Sequence, residues 1–499
     1  MGNGNIDGKN HRCARYMKII GIGFAAFVIG SLAVGGFHPF ELWFMPLISL
    51  IAFVALIQRT TLRTRLISCY LYGAGFLLPL LHWSSTYVGS LPWLILGFSF
   101  AAFYLPLAFG FISKQVAVLR FSLLFLVSEG TRAILPFGGF GWGRFGFSQL
   151  SGPLENWIRI GGVSLTGFMM ALTAATLVAR GRRILLLLPI LFLGMFSVIP
   201  VSAQAVSLEP QTPVRIGLIQ GGVSQLGLDF NATPQEVLNR HISESERLLE
   251  EQKVDLILWP ENASDIDPLR DANVKQRIDR LIERFGAPFV IGAVTQGPLG
   301  PENVSISLDG EPKPRSIYQK RDLVPFGEYI PLRTITELIS PLAQTIRDFV
   351  PGEGIETHSI SGLTFAPLIC YEVLDDRVTW ENLSQSTVGV VQTNNATFGR
   401  SWQSGQQFQM TRVRAFEAQI PFVVAATTGD TALIDSDGRV VERLEKYRQS
   451  HLVVDVQPAK PRLPMVGPEV LLLIALTSLV VIFFWPYLQR RRLSRSEMI

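Results

Sequence analysis

Three residue types that together support covalent acyl chemistry sit in separate short motifs of this chain. Glu261 closes WPE (259–261), Lys320 opens KRDLVPFGEYIP (320–331) and Cys370 lies in LTFAPLICYE (363–372). A carboxylate can take a thiol proton and later pass it to a leaving group, a cation can hold an oxyanion, and a thiolate can attack a carbonyl carbon. Each residue also has a plainer explanation. Free cysteine is among the residue types most often buried, a loop glutamate can cap a helix, and a single loop lysine is usually solvated. Context weighs against those explanations. Cys370 ends an apolar run just before the polar pair Tyr371-Glu372, and Trp259-Pro260 forces an extended exit that aims Glu261 outward from a strand end. Pro325-Phe326-Gly327-Glu328-Tyr329 is denser than ordinary loop composition, and Glu328 is a candidate to orient Lys320 or to hydrogen-bond a substrate.

The stretch holding these residues alternates strand and helix patterns. Apolar runs at 214–220, 254–260, 289–294, 363–370, 388–393 and 422–427 predict strands, and 234–252, 271–285 and 403–419 predict helices. TALIDSDGRVVERL predicts a hairpin turning at Ser436-Asp437-Gly438. Short apolar strands separated by amphipathic helices indicate an α/β domain whose sheet faces are covered. Its expected bounds are 208–458, and a Pro-rich connector, QPAKPRLPMVGP (457–468), follows. No internal repeat is visible.

Around that domain the composition changes class. The 499 residues are 48% hydrophobic and 17% charged, with mean hydropathy +0.31. Apolar runs fall near 18–36, 40–57, 67–83, 92–112, 116–135, 160–179, 184–201 and 468–488, each close to the length that spans a hydrocarbon core of about 30 Å. The third ends in His82-Trp83 and the fifth carries Glu129. With eight spans, the basic clusters at Lys9–Lys18, Arg59–Arg65, Lys114–Arg120, Arg180–Arg183 and Arg490–Arg495 all fall on one face. The expectation is a polytopic helical membrane domain of about eight spans (1–201, with a last span and basic tail in 459–499). Both termini would then be cytoplasmic and residues 202–466 outside. The first run is longer than a signal-peptide core and shows no small-residue cleavage pattern, so it is expected to be retained. Topology accounts for the formal net charge of +4, which requires no nucleic-acid partner. Phe137 to Phe147 (FGGFGWGRFGF) reads as an interfacial aromatic belt or as part of a lipid gate, and His38 and His82 as interfacial hydrogen-bonding groups rather than metal ligands. Of three cysteines, Cys370 alone lies in the outer stretch, where an unpaired thiol is a liability unless buried or used.

Glu, Lys and Cys in that chain order, 59 and 50 residues apart, resemble the nitrilase (carbon–nitrogen hydrolase) superfamily. FHPFELW (37–43), FGWGRFGF, VPFGEYIP, LICYE, Asn394-Asn395-Ala396-Thr397-Phe398-Gly399, Gln406-Gln407 and Arg412 to Glu417 narrow this to a resemblance to the apolipoprotein N-acyltransferase family. That resemblance covers nearly the whole chain. It implies an extracytoplasmic nitrilase-like α-β-β-α sandwich on a multi-pass helical domain in the bacterial cell membrane. It also implies ping-pong acyl transfer from a membrane phospholipid, through a thioester on Cys370, to the amine of a diacylglyceryl-cysteine lipoprotein. Glu261 is then general base and acid and Lys320 the oxyanion stabiliser. Glu328, Tyr371, Glu372, Asn394 and Phe398 are supporting or substrate-binding residues, and neither cofactor nor metal is implied. The chain departs from many relatives in having Asn394-Asn395-Ala396-Thr397-Phe398-Gly399 where they have Asn-Asp followed by Trp-Phe-Gly, Gln407-Phe408 where they have Gln-His, and no tryptophan in QLGLDF (225–230). These departures fit the variant of high-GC Gram-positive relatives and bear on donor preference and gating.

Burial stabilises an acyl chain by about 0.8 kcal/mol per CH₂, so roughly 16 carbons resist extraction by on the order of 12 kcal/mol. A thiol working at the bilayer surface avoids most of that cost. The alternatives are a membrane-tethered amidase using the same three residues with water, and a non-enzymatic anchor for a polyprenol-phosphate mannosyltransferase. Eight spans exceed what a tether needs, and an inert anchor has no need of all three groups.

Overall fold

The computed structural model describes residues 4–113, 116–179, 212–228, 232–339, 344 and 346–496. The chain divides into two compact units, one of Met1–Ile199 with Pro464–Ile499 and the other of Pro200–Leu463.

The first unit is helical. Its longer helices are Gly4–Leu32, Phe44–Ile57, Leu62–Leu80, Ser90–Ala101 (continued as a 3-10 helix to Phe109), Ala117–Ile134, Asn156–Ala179 and Pro468–Ser496. Among the described residues, three stretches are long and apolar enough to cross a membrane: Cys13–Gly36, Ser90–Phe109 and Asn156–Ala179. Phe44–Ile57 and Pro468–Phe484 are apolar but shorter. The expected spans at 67–83 and 116–135 are helices diluted by Arg63 and Arg65 and by Arg120, Glu129 and Arg132. The expected span at 184–201 lies outside the described residues. Small residues let the helices touch: a Cβ on Gly30 would meet the Tyr72 carbonyl at 2.2 Å, and one on Gly75 the Phe27 carbonyl at 2.0 Å.

Part of the Phe137–Phe147 loop is folded into the helical unit. Trp142, Arg144, Phe145 and Phe147 are buried. From the helix Ala117–Ile134, Glu129 Oε1 accepts the Phe145 N–H at 2.8 Å, and Arg132 Nη1 donates to the Phe140 and Trp142 carbonyls at 2.8 and 2.7 Å. A chain that folds back into an apolar unit brings polar backbone groups with it, and these side chains satisfy them.

The second unit is built on two sheets. The six-stranded sheet contains β1 (Val214–Gln220), β2 (Leu256–Leu258), β3 (Phe289–Gln296), β4 (Pro301–Leu308), β5 (Ser316–Gln319) and β13 (Ser450–Val456), in the order β13-β1-β2-β3-β4-β5. The five-stranded sheet contains β8 (Leu368–Ile369), β9 (Gly389–Thr393), β10 (Phe422–Ala426), β11 (Ala432–Ile434) and β12 (Val440–Arg443), in the order β12-β11-β10-β9-β8. β6 (His358–Ile360) and β7 (Leu363–Phe365) pair as a separate hairpin. Ile216, Leu218, Leu256, Leu258 and Val290 of one sheet pack on Val390, Val423 and Ala425 of the other. The opposite face of the larger sheet, through Ile219, Ile257, Phe289 and Ile291, packs on Leu238, Leu248, Ile278 and Leu281 of the helices Glu236–Glu251 and Ala272–Phe285. The helix Gln403–Ala418 lies over β9 and β10. The unit is an α/β sandwich, two sheets face to face with helices on the outer face of the larger one.

The strands run parallel where it matters for the site: β1, β2 and β3 in one sheet, β8, β9 and β10 in the other. The expected strand at 363–370 is broken into β7 and β8 by Ala366-Pro367, where proline cannot donate to a ladder. β4, β5, β6 and β13 carry too many polar residues for an apolar-run reading, and β13 pairs antiparallel with β1 from 230 residues further along the chain.

Candidate active site

Glu261, Lys320 and Cys370 leave the sandwich at the ends of β2, β5 and β8. In open α/β sheets the carboxyl ends of parallel strands are where ligands bind, because chains diverge there and leave a crevice. Gly292 on β3 makes the Glu261 position reachable: a Cβ there would strike the Pro260 carbonyl at 2.2 Å and Glu261 Cα at 2.7 Å. Cys370 has φ +53° and begins the 3-10 helix Cys370–Leu374. A non-glycine residue in that region is strained, and the sharp turn lifts its side chain off the strand.

The charged groups meet around one ammonium. Lys320 Nζ lies 2.8 Å from Glu328 Oε2, 2.9 Å from Glu328 Oε1 and 3.4 Å from Glu261 Oε1. Asn303 Nδ2 donates to both carboxylates at 2.8 Å, the Val324 N–H donates to Glu328 Oε2, and the Asn394 N–H holds Glu261 Oε2 at 2.8 Å. Lys320 is 1% exposed and Glu261 5%. Burial opposes the lysine charge, but the facing Glu328 and Glu261 carboxylates outweigh it, and the pKa of Lys320 is raised.

Cys370 keeps intermediate exposure, yet desolvation by the surrounding protein pushes its thiol up to about 12, reinforced by the Glu261 carboxylate. Lys320 and a hydrogen bond with the Thr393 side chain pull the other way. The resting thiol is therefore neutral, and forming a thiolate there requires a base within reach.

Glu372 is braced into the frame. Its Oε1 accepts from Tyr318 Oη at 2.8 Å and the Arg321 N–H at 2.7 Å, while Oε2 accepts the Ile369 N–H at 2.7 Å. Burial raises its pKa to about 7 against those backbone donors. It ties the residue after Lys320 to the residue before Cys370. Tyr371, the residue after Cys370, is buried. Asn394 contributes its backbone N–H, while its side-chain Oδ1 accepts the Ala396 N–H at 3.0 Å. Phe398 is half-buried at the end of the 3-10 turn Ala396–Phe398. Among the described residues, no group of three or more His, Cys, Asp or Glu side chains is arranged to hold a metal ion.

Apolipoprotein N-acyltransferase N-terminal domains match residues 29–176, and carbon-nitrogen hydrolase domains match residues 215–462. The apolipoprotein N-acyltransferase of Mycolicibacterium smegmatis is 32% identical over 96% of this chain and 88% of its own length. The chain belongs to the apolipoprotein N-acyltransferase family. A second family member, from Azotobacter vinelandii, is 29% identical over 93% of this chain and 95% of its own. Among solved structures, a variant amidase of the nitrilase superfamily from Nesterenkonia covers 49% of this chain and 91% of that one, at 20% identity and TM-score 0.38.

Several residues of this acyltransferase-family site escape sequence reasoning. Asn303 bridges the two carboxylates, Thr393 bonds the thiol, and Asn382 Nδ2 donates to Tyr318 Oη at 2.9 Å behind Glu372. Gln407, noted only as part of a motif, donates through Nε2 to the Cys370 carbonyl at 2.9 Å and so fixes the strained turn. For Asn303 a signal existed: Asn303, Ser305 and Ser307 alternate along β4 and are all buried. A polar file on a buried strand face needs partners.

Proposed function

We propose that this chain transfers an acyl group from a membrane phospholipid to the N-terminal amine of a diacylglyceryl-cysteine lipoprotein, with Cys370 carrying the acyl group between them. Membership of the apolipoprotein N-acyltransferase family supports the reaction class. The observation that carries the residue roles is Lys320 held between Glu261 and Glu328 at the strand ends from which Cys370 also emerges.

In the first half, Glu261 takes the Cys370 proton as sulfur attacks the ester carbonyl, and Lys320 holds the oxyanion. Collapse breaks the ester C–O bond. The leaving lysophospholipid oxygen receives the proton from Glu261, and a thioester remains. In the second half the lipoprotein amine, neutral in part because such groups have pKa near 8, attacks the thioester. Glu261 takes the amine proton, the C–S bond breaks, and the proton returns to sulfur. Glu328 holds Lys320 in place, Glu372 braces the turn at Tyr371, and Asn394 and Phe398 lie where a substrate would be shaped.

The same reading extends to topology and boundaries. Eight spans would place both termini in the cytoplasm and the α/β unit outside, with a membrane domain over 1–201, a catalytic domain over 208–458, and a linker, last span and basic tail over 459–499. The placement of basic residues at alternate loops supports this.

The test incubates purified full-length protein with phospholipid and a diacylated lipopeptide. A gain of one acyl mass on the lipopeptide, together with an acyl adduct on Cys370, is expected. Cys370→Ala should give neither. Release of ammonia from small amides without lipopeptide acylation would replace the proposal with an amidase. An unchanged lipopeptide with no adduct would leave only the anchor role.

A further inference from the structure

We propose that the Thr393 hydroxyl is a further catalytic group, the donor that turns to the Cys370 sulfur as its proton leaves. The inference rests on Cys370 being the nucleophile of the reaction above.

β8 and β9 are parallel with Ile369 opposite Gln392, so the next residues, Cys370 and Thr393, stand side by side at one strand end. Thr393 is 4% exposed, and its side chain is hydrogen-bonded to that of Cys370. A threonine hydroxyl has one proton to give and two lone pairs to offer. It can accept from the thiol and donate to the thiolate without moving the chain.

The rest of the network decides which way that proton is free to point. Among the described residues, Thr393 Oγ1 donates one other hydrogen bond, to Gln407 Oε1 at a long 3.4 Å. That oxygen already accepts from Asn395 Nδ2 at 2.9 Å and Gln403 Nε2 at 3.1 Å, which fill its two lone pairs. The amide is held from flipping because Gln407 Nε2 donates to the Cys370 carbonyl at 2.9 Å. Turning the hydroxyl to sulfur therefore gives up a weak contact and gains a charge-assisted one, the stronger class of hydrogen bond. Lys320 is the other group that favours the anion, while Glu261 and Glu328 oppose it. Thr393 supplies stabilisation without adding charge, in both the attack on the ester and the later expulsion of the thiolate.

The test follows iodoacetamide alkylation of Cys370 in the full-length protein against pH. Peptide mass spectrometry separates Cys370 from Cys13 and Cys69. Thr393→Val should lower the Cys370 rate about tenfold at every pH below the thiol's own titration, the size of one lost hydrogen bond to a charged group. Thr393→Ser should retain the wild-type rates. Superimposed profiles for wild type and Thr393→Val would overturn the proposal, as would a Thr393→Ser protein slowed as much as Thr393→Val. Should Thr393→Val not fold, Thr393→Ala carries the same comparison, and an unchanged rate there is equally fatal. Wild-type Cys370 that resists alkylation at all pH values sinks the nucleophile assignment and this inference together. A reactive Cys370 with no lipopeptide acylation sinks the acyltransferase reading while leaving the hydroxyl comparison intact.

Discussion

Two clusters of buried charge, one in each unit, are spent in opposite ways. In the helical unit, Glu129 and Arg132 bond backbone groups of the Phe140–Phe145 loop. In the α/β unit, Lys320, Glu261 and Glu328 bond one another, with Asn303 between the carboxylates. The first cluster neutralises the polar cost of folding a chain into an apolar unit. The second gathers two carboxylates about one ammonium and sets them near a thiol, an arrangement that no backbone requires. Buried charge alone is a poor guide to chemistry. What it is bonded to separates a fastening from a reacting centre.

Removing the central cation should break the second cluster most severely. Lys320→Met leaves two carboxylates buried without their cation and removes the proposed oxyanion partner, so thioester formation should fall by about 10²–10³-fold or more, measured by intact mass in a single-turnover assay. A fall of less than threefold would put Lys320 with the fastenings.

Arg132→Met probes the other side of the contrast. It leaves the Phe140 and Trp142 carbonyls without their donor, and about 3–5 kcal/mol of stability should be lost, read by thermal unfolding in detergent. The alkylation rate of Cys370 should be unchanged at temperatures where the protein stays folded. A slowed Cys370 would erase the distinction drawn between the clusters.

A smaller effect comes from the brace at Glu372, whose pKa rises from the ordinary 4.5 to about 7 through burial. The folded state holds this proton more tightly than the unfolded chain does. Stability from this group is thus greatest below about pH 4.5, declines as pH rises towards 7, and is level above it. Glu372→Gln should lower the melting temperature, because an amide NH₂ now faces the Ile369 or Arg321 N–H. The difference in melting temperature between wild type and variant should narrow as pH rises through that window. A constant difference would mean that Glu372 is ionised throughout.

At the far end of the scale is Arg284→Ala, which removes an exposed pair with Glu250 at 3.0 Å. Its effect should stay within about 1 kcal/mol by denaturant unfolding, since exposed pairs contribute little.

Legibility followed locality. β1, β9 and β10 were readable as apolar runs, and the helices Glu236–Glu251, Ala272–Phe285 and Gln403–Ala418 as amphipathic or motif-bearing segments, because their signals lie within a few residues. β13 was not, since Ser450–Val456 is recruited by β1 across most of the domain and only pairing makes it a strand. Glu261, Lys320 and Cys370 stood out by motif. Asn303, Thr393 and Gln407 did not, because an uncharged hydrogen-bonding residue has no chemistry until a partner is placed against it. The Phe137–Phe147 loop shows the same limit: its glycines and aromatics suggest an interfacial belt or a lipid gate, and only the structure shows Glu129 and Arg132 bonding its backbone from the preceding helix.

Taken by itself, the amino-acid order determined that apolar helices accompany an α/β domain, and that a carboxylate and a thiol end up at strand termini. Hydrophobic period and turn chemistry are local properties, and they act before distant segments meet. Tertiary structure alone decided which oxygen of Glu261 faces Lys320, that Asn303 is shared between two carboxylates, and that Thr393 stands beside the sulfur. Those relations join residues brought together by packing two sheets, and hydrogen-bond geometry is selected only once that packing has fixed distances to within a few tenths of an ångström.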